Sequence, residues 1–505
     1  MPWNPASPLT ADACYRAVLA RDARFDGQFF TAVSSTRIYC RPVCRVRSPK
    51  RENCEFFQLA AQAERAGYRP CLRCRPELAP GTARSWSLQD TSRSLAHEAL
   101  SLLDQTLHEA VSMHGLAERL GVSERHLRRL MDRHLGISPL QYRQTRRLLL
   151  GKQLLCDTSL PINLIAQLSG FGSQRRFNAV FVSNYRLSPT QCRLQGQSAS
   201  GRAQAREPSL GLTLPLSYRA PYASEALLLF FKQRSVTGLE QWVEAQPDRP
   251  ALWRRILRVE HAGAVYRGWV GAHFDAARPV LHLQLSDSLI PVLPWLLQRA
   301  RAVFDLDADP QSIEAVLGDD FAATRGWRVP GAWDGFELAV RGVLGQQVTV
   351  AAARTLTRRL VHALGDAVAT PWPELSHAFP TPAQVHGASD DALGGLGIVR
   401  QRQRALRALA QATLDKPTWL DPATATPATL QALTALPGIG EWTAQYIAMR
   451  ALRWPDAFPA GDLVLQQKLA LRTAPHPARA AIARAAAWSP WRSYAVIRLW
   501  HGETP

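Results

Sequence analysis

The spacing of apolar residues divides the chain into stretches with different periodicity. Residues 1–80 contain short aromatic and β-branched runs, such as residues 29–33 (FFTAV), that are typical of strands. From about residue 90 to 195 the apolar positions recur at helical spacing among many arginines. Between 212 and 290 the apolar runs predict a small sheet, and the chain beyond is rich in alanine and leucine and predicts helices. The runs that predict the strands of this sheet are residues 226–231, 264–270 and 280–285.

A polar segment separates the two halves of this pattern. Residues 196–211 (GQSASGRAQAREPSLG) are small, polar and without periodicity, which predicts a flexible linker. We therefore expect the two halves to act independently. The predicted domains are residues 1–80, 81–195, 212–290 and 291–505, joined by the linker at 196–211.

One pattern occurs twice in the arginine-rich stretch. Ser123 followed by Ser138-Pro139 is repeated, at the same spacing, as Ser173 followed by Ser188-Pro189. Each copy has a helical run, a glycine turn, an N-cap serine and a second helical run, which is typical of a helix-turn-helix. Apolar residues at helical spacing, such as Leu127, predict the buried face of each second helix. The polar residues left to contact DNA are Arg125, Arg128, Gln174 and Arg175.

Over about residues 95–193 the two copies resemble the AraC-type regulatory domain. The resemblance implies promoter DNA and RNA polymerase as partners. A helical spacer that binds DNA without regulating transcription is the alternative.

The charge of the chain favours nucleic acid as the partner. The formal net charge is +19 and the pI is about 10.2, as expected for a protein that binds a polyanion. The first residues lack the basic start and apolar run of a secretory signal, and the apolar stretches are too short to span a bilayer. We expect a cytoplasmic monomer that does not contact membranes.

Four of the eight cysteines form two close pairs. Cys40 and Cys44 lie in RIYCRPVCRVR, and Cys71 and Cys74 lie in GYRPCLRCRP. Such pairs on separate turns place four thiolates tetrahedrally around one Zn²⁺, whereas disulfides are unexpected in a large protein without a secretion signal. Four thiolates leave the site at about −2, which keeps a thiolate nucleophilic. Arginines suited to a phosphate backbone flank the pairs: Arg37, Arg41, Arg45, Arg47, Arg69, Arg73 and Arg75. The alternative is zinc that only holds a small domain together.

The cysteine segment resembles the N-terminal zinc domain of the Ada family over about residues 11–80. FDGQFFTAV and the two cysteine motifs carry the resemblance. It implies that Cys40 takes the methyl group of a DNA methylphosphotriester irreversibly, and that Thr36 and Arg47 lie near that phosphate. Methylation would remove one negative charge and strengthen DNA binding, which makes a damage-driven switch.

A glycine-rich turn in the last part of the chain is the strongest catalytic signal. Residues 436–444 (LPGIGEWTA) predict a helical hairpin whose turn, with Gly438 and Gly440, offers backbone amides and a helix N-terminus to a DNA phosphate. Asp462 follows about a helix and a loop later. Together these features resemble the helix-hairpin-helix glycosylases.

Residues from about 212 to 505 resemble the AlkA family of alkylbase glycosylases more closely. FELAVRGVLGQQVTVAAA, LPGIGEWTAQYIAMR and WSPWRSYAVIRLW carry the resemblance. It implies that Asp462 stabilises an oxocarbenium-like sugar or activates water, and that the base pocket is formed by Trp442, Tyr446 and Trp500. Electron-rich rings favour a cationic alkylated purine, which must first leave the base stack.

The sequence departs from the family at two positions. Gln347, after Gln346, occupies the wedge position, where AlkA commonly has leucine, and Leu463 replaces an aromatic residue after Asp462. These departures put the substrate range in doubt more than the reaction. Trp442 occupies the position of the lysine that strand-cutting relatives use, and no cysteine follows Asp462, so we expect a monofunctional glycosylase without an iron–sulfur cluster.

The predicted fold class is multidomain and mainly α. It combines a small α+β zinc domain, an AraC-type double helix-turn-helix, a small antiparallel-sheet α+β subdomain and an all-α helix-hairpin-helix glycosylase core. We predict a protein that repairs and responds to DNA alkylation, excises alkylated purines such as 3-methyladenine, and regulates transcription. One alternative is a regulator whose C-terminal half only binds DNA. The other is a repair enzyme whose N-terminal domains only tether it to DNA.

Overall fold

The computed structural model describes residues 9–81, 91–107, 111–199, 210–247, 250–422 and 426–501. Within these ranges the molecule is mainly helical, with two separate sheets. None of the described helices combines the length and the apolarity needed to cross a bilayer.

The zinc domain (residues 1–80) is built on a four-stranded sheet. Its elements are helix α1 (Ala11–Ala20), strands β1 (Phe30–Val33), β2 (Ile38–Cys40) and β3 (Cys54–Phe57), helix α2 (Ala60–Arg65) and strand β4 (Arg69–Pro70). The strand order is β3-β1-β2-β4, with β2 and β4 parallel and the other pairs antiparallel. Cys14 and Cys54 are buried in the packing of α1 against this sheet, as small core residues. The domain therefore has its own apolar core beside the paired cysteines.

Seven helices are described in the helix-turn-helix domain (residues 81–195), outside residues 82–90 and 108–110. They are α3 (Thr91–Gln105), α4 (Met113–Arg119), α5 (Glu124–Leu135), α6 (Pro139–Asp157), α7 (Ile162–Leu168), α8 (Gln174–Tyr185) and α9 (Pro189–Ala199). Ser123 and Ser173 cap α5 and α8 by accepting hydrogen bonds from backbone amides, as the sequence predicts. Leu127 and Phe177 are fully buried on the inner faces of these two helices. The repeated pattern thus folds as two equivalent helix pairs joined by α6.

The sheet subdomain (residues 212–290) is a five-stranded antiparallel sheet with one helix. Its elements are β5 (Leu212–Ser217), α10 (Ser224–Arg234), β6 (Glu240–Val243), β7 (Leu252–His261), β8 (Ala264–Phe274) and β9 (Val280–Leu285), in the strand order β5-β9-β8-β7-β6. The strands predicted at 264–270 and 280–285 are present. The strand predicted at 226–231 is wrong, because this run lies inside α10. Leu227, Leu228 and Phe230 face the core while Leu229 is exposed, so the run buries one face of a helix.

The described residues of the hairpin domain (residues 291–505) form helices and no β-strand. Its helices are α11 (Leu293–Val303), α12 (Pro310–Leu317), α13 (Gly335–Leu344), α14 (Val350–Leu364), α15 (Pro382–Gly387), α16 (Asp390–Gly395), α17 (Arg400–Asp415), α18 (Thr426–Thr434), α19 (Glu441–Arg450), α20 (Leu463–Lys468), α21 (Pro477–Ala485) and α22 (Arg492–Trp500). Two apolar clusters form its core, one around α13 and α17 and one around α19 and α22. Helix α19 contributes to both clusters, so it is fixed between the two halves of this domain.

The two halves of the chain share one apolar core. Side chains of α6 and α8, such as Leu154 and Phe177, belong to the same buried cluster as Leu214 and Leu216 of β5. Gln153 also donates a buried hydrogen bond of 3.2 Å to the Pro215 carbonyl. The expectation of independent halves therefore does not hold for the folded chain. Helix α9 extends to residue 199, so the first residues of the linker predicted at 196–211 are helical. Residues 200–209 of the linker lie outside the described ranges.

Candidate functional site

The sheet of the zinc domain brings the four paired cysteines together. Cys40 ends β2 and Cys71 follows β4, and because these strands run in parallel both cysteines leave the sheet at the same edge. Cys44 and Cys74 lie in the loops that follow. The four Sγ atoms all lie within 4.8 Å of one another.

The geometry of these sulfurs fits zinc. A tetrahedral site with Zn–S bonds of about 2.3 Å separates its sulfurs by about 3.8 Å, within the observed limit. The Arg41 backbone amide donates a 3.3 Å hydrogen bond to Cys74 Sγ, as thiolate ligands commonly receive. Cys40, the predicted nucleophile, is largely buried, with 9% of its surface exposed.

The predicted phosphate-binding residues divide into two groups. Thr36, Arg47 and most of the flanking arginines are exposed or half-buried. Arg41 instead is buried against the Asp26 carboxylate, and Arg75 pairs with Asp157 at 2.7 Å. The prediction that all seven arginines serve a phosphate backbone is therefore wrong for Arg41 and Arg75, which are structural.

The helix-turn-helix domain leaves the predicted DNA-contacting residues accessible. Arg125 and Arg128 on α5, and Gln174 and Arg175 on α8, are all exposed. Arg128 pairs with Glu124 of its own helix at 3.2 Å. The N-terminal turns of both second helices thus carry polar side chains that face solvent.

Asp462 lies among three N–H donors at the start of α20. Its Oδ1 accepts hydrogen bonds from the Leu465 amide at 2.9 Å and from the Trp500 indole at 3.2 Å. Its Oδ2 accepts a hydrogen bond of 2.7 Å from the Trp442 indole. Both oxygens are therefore oriented by residues of three different helices. The sequence assigned the two tryptophans to the base pocket but gave no sign that they also hold the carboxylate.

The three predicted pocket aromatics form one group beside Asp462. Trp442 and Tyr446 are stacked, with ring centroids 5.4 Å apart and an interplanar angle of 6°. Trp500 lies 6.2 Å from Tyr446 at an angle of 44°. All three are half-buried, so the group has both a packed side and an accessible side.

Arginines that the sequence interpretation missed lie behind Tyr446. Arg450 donates a hydrogen bond to the Tyr446 hydroxyl, and its guanidinium lies 4.7 Å from the centre of the Phe230 ring. Burial acts to raise the pKa of Tyr446, but Arg450, Arg234 and Arg341 outweigh it and hold this pKa below its ordinary value. The sequence carried one signal for this contact, because Tyr446 and Arg450 are one helical turn apart.

The helical hairpin is anchored by one buried side chain between two exposed glycines. Ile439 is buried, whereas Gly438 and Gly440 on either side are exposed. Gly438 has a φ of +76°, and a Cβ at this position would lie 2.9 Å from the Cβ of Ala405. Gln346 supports the turn by donating hydrogen bonds of 2.9 Å to the Gly438 carbonyl and to Thr443 Oγ1. The backbone amides of the hairpin are thus held at the surface.

The two positions that depart from the family pattern are both exposed. Gln347 lies in the turn between α13 and α14 with a φ of +53°. Leu463 is 63% exposed in the first turn of α20, next to Asp462. An exposed leucine beside the carboxylate offers an apolar surface at the mouth of the site.

Four family models match successive parts of the chain. They are the metal binding domain of Ada (residues 13–77), a helix-turn-helix domain (116–195), the AlkA N-terminal domain (213–334) and the HhH-GPD superfamily base excision DNA repair protein (340–493). Together they account for the order of domains along the sequence.

Curated relatives match either the whole chain or one of its halves. A Mycobacterium tuberculosis protein named "Probable bifunctional transcriptional activator/DNA repair enzyme AlkA" is 36% identical over 495 residues, 97% of this chain and 96% of that protein. DNA-3-methyladenine glycosylase 2 of Escherichia coli is 36% identical over 57% of this chain and 96% of its own length. The bifunctional transcriptional activator/DNA repair enzyme Ada of Escherichia coli is 39% identical over 28% of this chain and 38% of its own length.

Proposed function

Because the chain belongs to the family of bifunctional transcriptional activator/DNA repair enzymes that includes this Mycobacterium tuberculosis protein, we propose that its C-terminal half hydrolyses the N-glycosidic bond of alkylated purines such as 3-methyladenine. The observation that carries the proposal is Asp462, a carboxylate oriented by two indole N–H groups beside a group of aromatic rings. This is the arrangement that a reaction with a cationic sugar and an electron-poor base requires.

The reaction follows from the positions of these residues. The damaged nucleotide leaves the stack and its base contacts Trp442, Tyr446 and Trp500, whose electron-rich faces favour a positively charged purine. As the bond between C1′ and the base breaks, its electron pair leaves with the base, and Asp462 stabilises the positive charge that develops on the sugar. Water then adds to C1′ and its proton passes to Asp462 or to solvent.

The hairpin positions the DNA for this step. Gly438 and Gly440 leave the backbone amides and the N-terminus of α19 accessible to a phosphate, and α19 also carries Trp442 and Tyr446. Phosphate binding therefore places the strand directly over the aromatic group. Gln347, in its exposed turn, occupies the space that the flipped-out base leaves in the duplex.

The zinc domain contributes a second, stoichiometric reaction in this proposal. Bound to the four cysteines, one Zn²⁺ keeps the thiols ionised. Cys40 Sγ attacks the methyl carbon of a methylphosphotriester, the methyl carbon–oxygen bond breaks, and the phosphodiester leaves with the electron pair. Thr36 and Arg47, both exposed, contact the phosphate. The methylated domain carries one negative charge less and binds DNA more tightly, so that the helix-turn-helix domain activates transcription with RNA polymerase.

The first experiment measures base release from DNA treated with a methylating agent, using the wild type and Asp462→Asn. We expect release of 3-methyladenine or 7-methylguanine by the wild type, and at least a thousandfold slower release by Asp462→Asn with DNA binding retained. Absence of release by both proteins with binding intact would support a regulator whose C-terminal half only binds DNA.

A parallel experiment follows transfer of a labelled methyl group from phosphotriesters to the protein. We expect wild-type protein to become labelled and Cys40→Ser to remain unlabelled. Binding of the methylated wild type to its promoter supports regulation. Equal binding before and after methylation would favour N-terminal domains that serve only as a tether.

A further inference from the structure

A fully buried arginine joins the zinc domain to the C-terminal half. Arg219, which follows β5, is 0% exposed, and its guanidinium donates to carbonyl oxygens on both sides of the boundary. On one side it donates to Asp26 at 2.8 Å and to Gly81, and on the other to Asp307 at 2.8 Å and Ala308 at 3.3 Å. One side chain therefore serves as a hydrogen-bonding centre for segments that are far apart in sequence. We call these five residues the Arg219 seam.

The seam is linked to the cysteine site by short polar contacts. The backbone carbonyl of Asp26 binds Arg219. The side-chain carboxylate of the same residue accepts a hydrogen bond of 2.8 Å from Arg41 Nε. Arg41 in turn donates to the Cys74 carbonyl at 3.2 Å and, through its backbone amide, to Cys74 Sγ at 3.3 Å. Two residues thus separate a predicted zinc ligand from Arg219.

The other side of the seam is fixed by contacts of the C-terminal half. Asp307 accepts a hydrogen bond of 2.6 Å from the Gly81 amide and one of 3.0 Å from Arg301. Gly81 is packed closely enough that a Cβ there would lie 2.9 Å from the carboxyl group of Asp307. Arg328 donates a hydrogen bond of 2.9 Å to the Arg219 carbonyl. The seam is therefore a packed, polar interface rather than a loose surface contact.

The hydrogen bonds of the buried Arg219 guanidinium couple the two sides of this interface. If the zinc domain unfolds, Arg219 loses the Asp26 acceptor within that domain and the Gly81 acceptor directly after it, while its contacts with Asp307 and Ala308 remain. Losing two charge-assisted hydrogen bonds and the packing around them destabilises the structure that holds Arg219. The free energy of metal binding to the folded zinc domain then also favours the folded state of the C-terminal half.

We propose that zinc bound at the four cysteines stabilises the C-terminal half of the chain through the Arg219 seam. The zinc domain and the C-terminal half then unfold as coupled units. Loss of the metal lowers the stability of the C-terminal half, although the metal does not contact it. This proposal rests on zinc binding by the cysteines, but it requires neither methyl transfer nor base excision.

The distribution of tryptophans provides a selective readout in the full-length protein. All tryptophans except Trp3 and Trp86 lie beyond residue 211, so tryptophan fluorescence reports unfolding of the C-terminal half. We would record thermal unfolding by fluorescence for zinc-loaded protein and for protein stripped with a chelator. Reaction of the released cysteines with a thiol reagent verifies that the metal has left. We expect zinc removal to lower the wild-type midpoint by at least about 3 °C.

Three variants test the route of the coupling. Arg219→Ala removes the centre of the seam, and we expect its zinc-dependent shift to be much smaller than that of the wild type. Gly81→Ala inserts a methyl group against Asp307 and is the milder variant, with a reduced zinc-dependent shift. Arg498→Ala is the matched control, because Arg498 is equally buried but pairs with Glu314 inside the C-terminal half. We expect this control to lower the midpoint yet keep the full zinc-dependent shift.

Two results would overturn the proposal. The first is a wild-type midpoint that does not move although the thiol assay shows that zinc has been released. The second is a full zinc-dependent shift in Arg219→Ala, which would place the coupling elsewhere. If Arg219→Ala does not fold, the test depends on Gly81→Ala. A zinc-dependent shift of its midpoint equal to that of the wild type would then contradict the proposal.

Discussion

Replacing Trp442 with phenylalanine separates the two roles that the structure gives this residue. The change removes the indole N–H that donates a 2.7 Å hydrogen bond to Asp462 Oδ2, while a ring remains at the position that stacks on Tyr446. The Oδ1 contacts with Leu465 and Trp500 remain. Asp462 is then held on one oxygen only, and its orientation toward the sugar is less well defined.

The magnitude follows from the strength of that hydrogen bond. A hydrogen bond to a charged group contributes about 1.5–3 kcal/mol, and each 1.36 kcal/mol of barrier is a factor of ten in rate. If the bond acts fully in the transition state, excision slows by about 10- to 150-fold. Trp500→Phe removes a longer bond of 3.2 Å, so we expect a smaller effect, about several-fold.

Single-turnover release of 3-methyladenine with enzyme in excess is the appropriate assay. We expect the rate constant to fall in Trp442→Phe while the dissociation constant for methylated DNA changes little. In the Asp462→Asn background the same substitution should have no further effect, because the charged acceptor is already absent. A wild-type rate in Trp442→Phe, or a full additive loss in the double variant, would refute the idea that the indole acts through Asp462.

Two further predictions concern stability. Burial raises the pKa of Glu64 to about 7 despite hydrogen bonds from Thr145, Tyr39 and Tyr185. The folded state therefore holds this proton more tightly than the unfolded state. The free energy of unfolding falls as pH rises from about 4.5 to 7, by about 3 kcal/mol. Glu64→Gln should flatten this part of a urea-unfolding pH profile, and an unchanged profile would contradict this prediction. Gly438→Ala should destabilise the protein by about 1–2 kcal/mol in urea unfolding, because of its positive φ and the contact with Ala405. Gly440→Ala, with a φ of −87° and open space, should cost less, about 0.5 kcal/mol for the weaker N-cap of α19.

The elements that the sequence predicted well are those with a local signal. Ser123 and Ser173 mark helix starts because an N-cap acts within one turn of its own position. The cysteine pairs, likewise, are recognisable because metal ligands must be spaced for one ion. The apolar run at 226–231 failed, since six apolar residues do not distinguish a buried strand from the buried face of a helix.

Contacts between distant segments had no such signal. Arg219 binds carbonyl groups near residues 26, 81 and 307, and nothing in its neighbouring sequence distinguishes it from a surface arginine. The same holds for the indole donors of Asp462, where a family resemblance named the residues but not their hydrogen bonds. Flexible composition at 196–211 likewise suggested separable halves, because a linker sequence carries no information about what its flanking domains bury.

The core shared by α6, α8 and β5 has a consequence for the history of this fusion. Leu154 and Phe177 on one side, and Leu214 and Leu216 on the other, belong to one buried apolar cluster that spans both halves. Cutting the chain between residues 199 and 210 and expressing the pieces separately would give each an exposed apolar face, with aggregation as the expected outcome. In this fusion the two halves bury apolar surface against each other, so separating them into two genes would require changes on both surfaces.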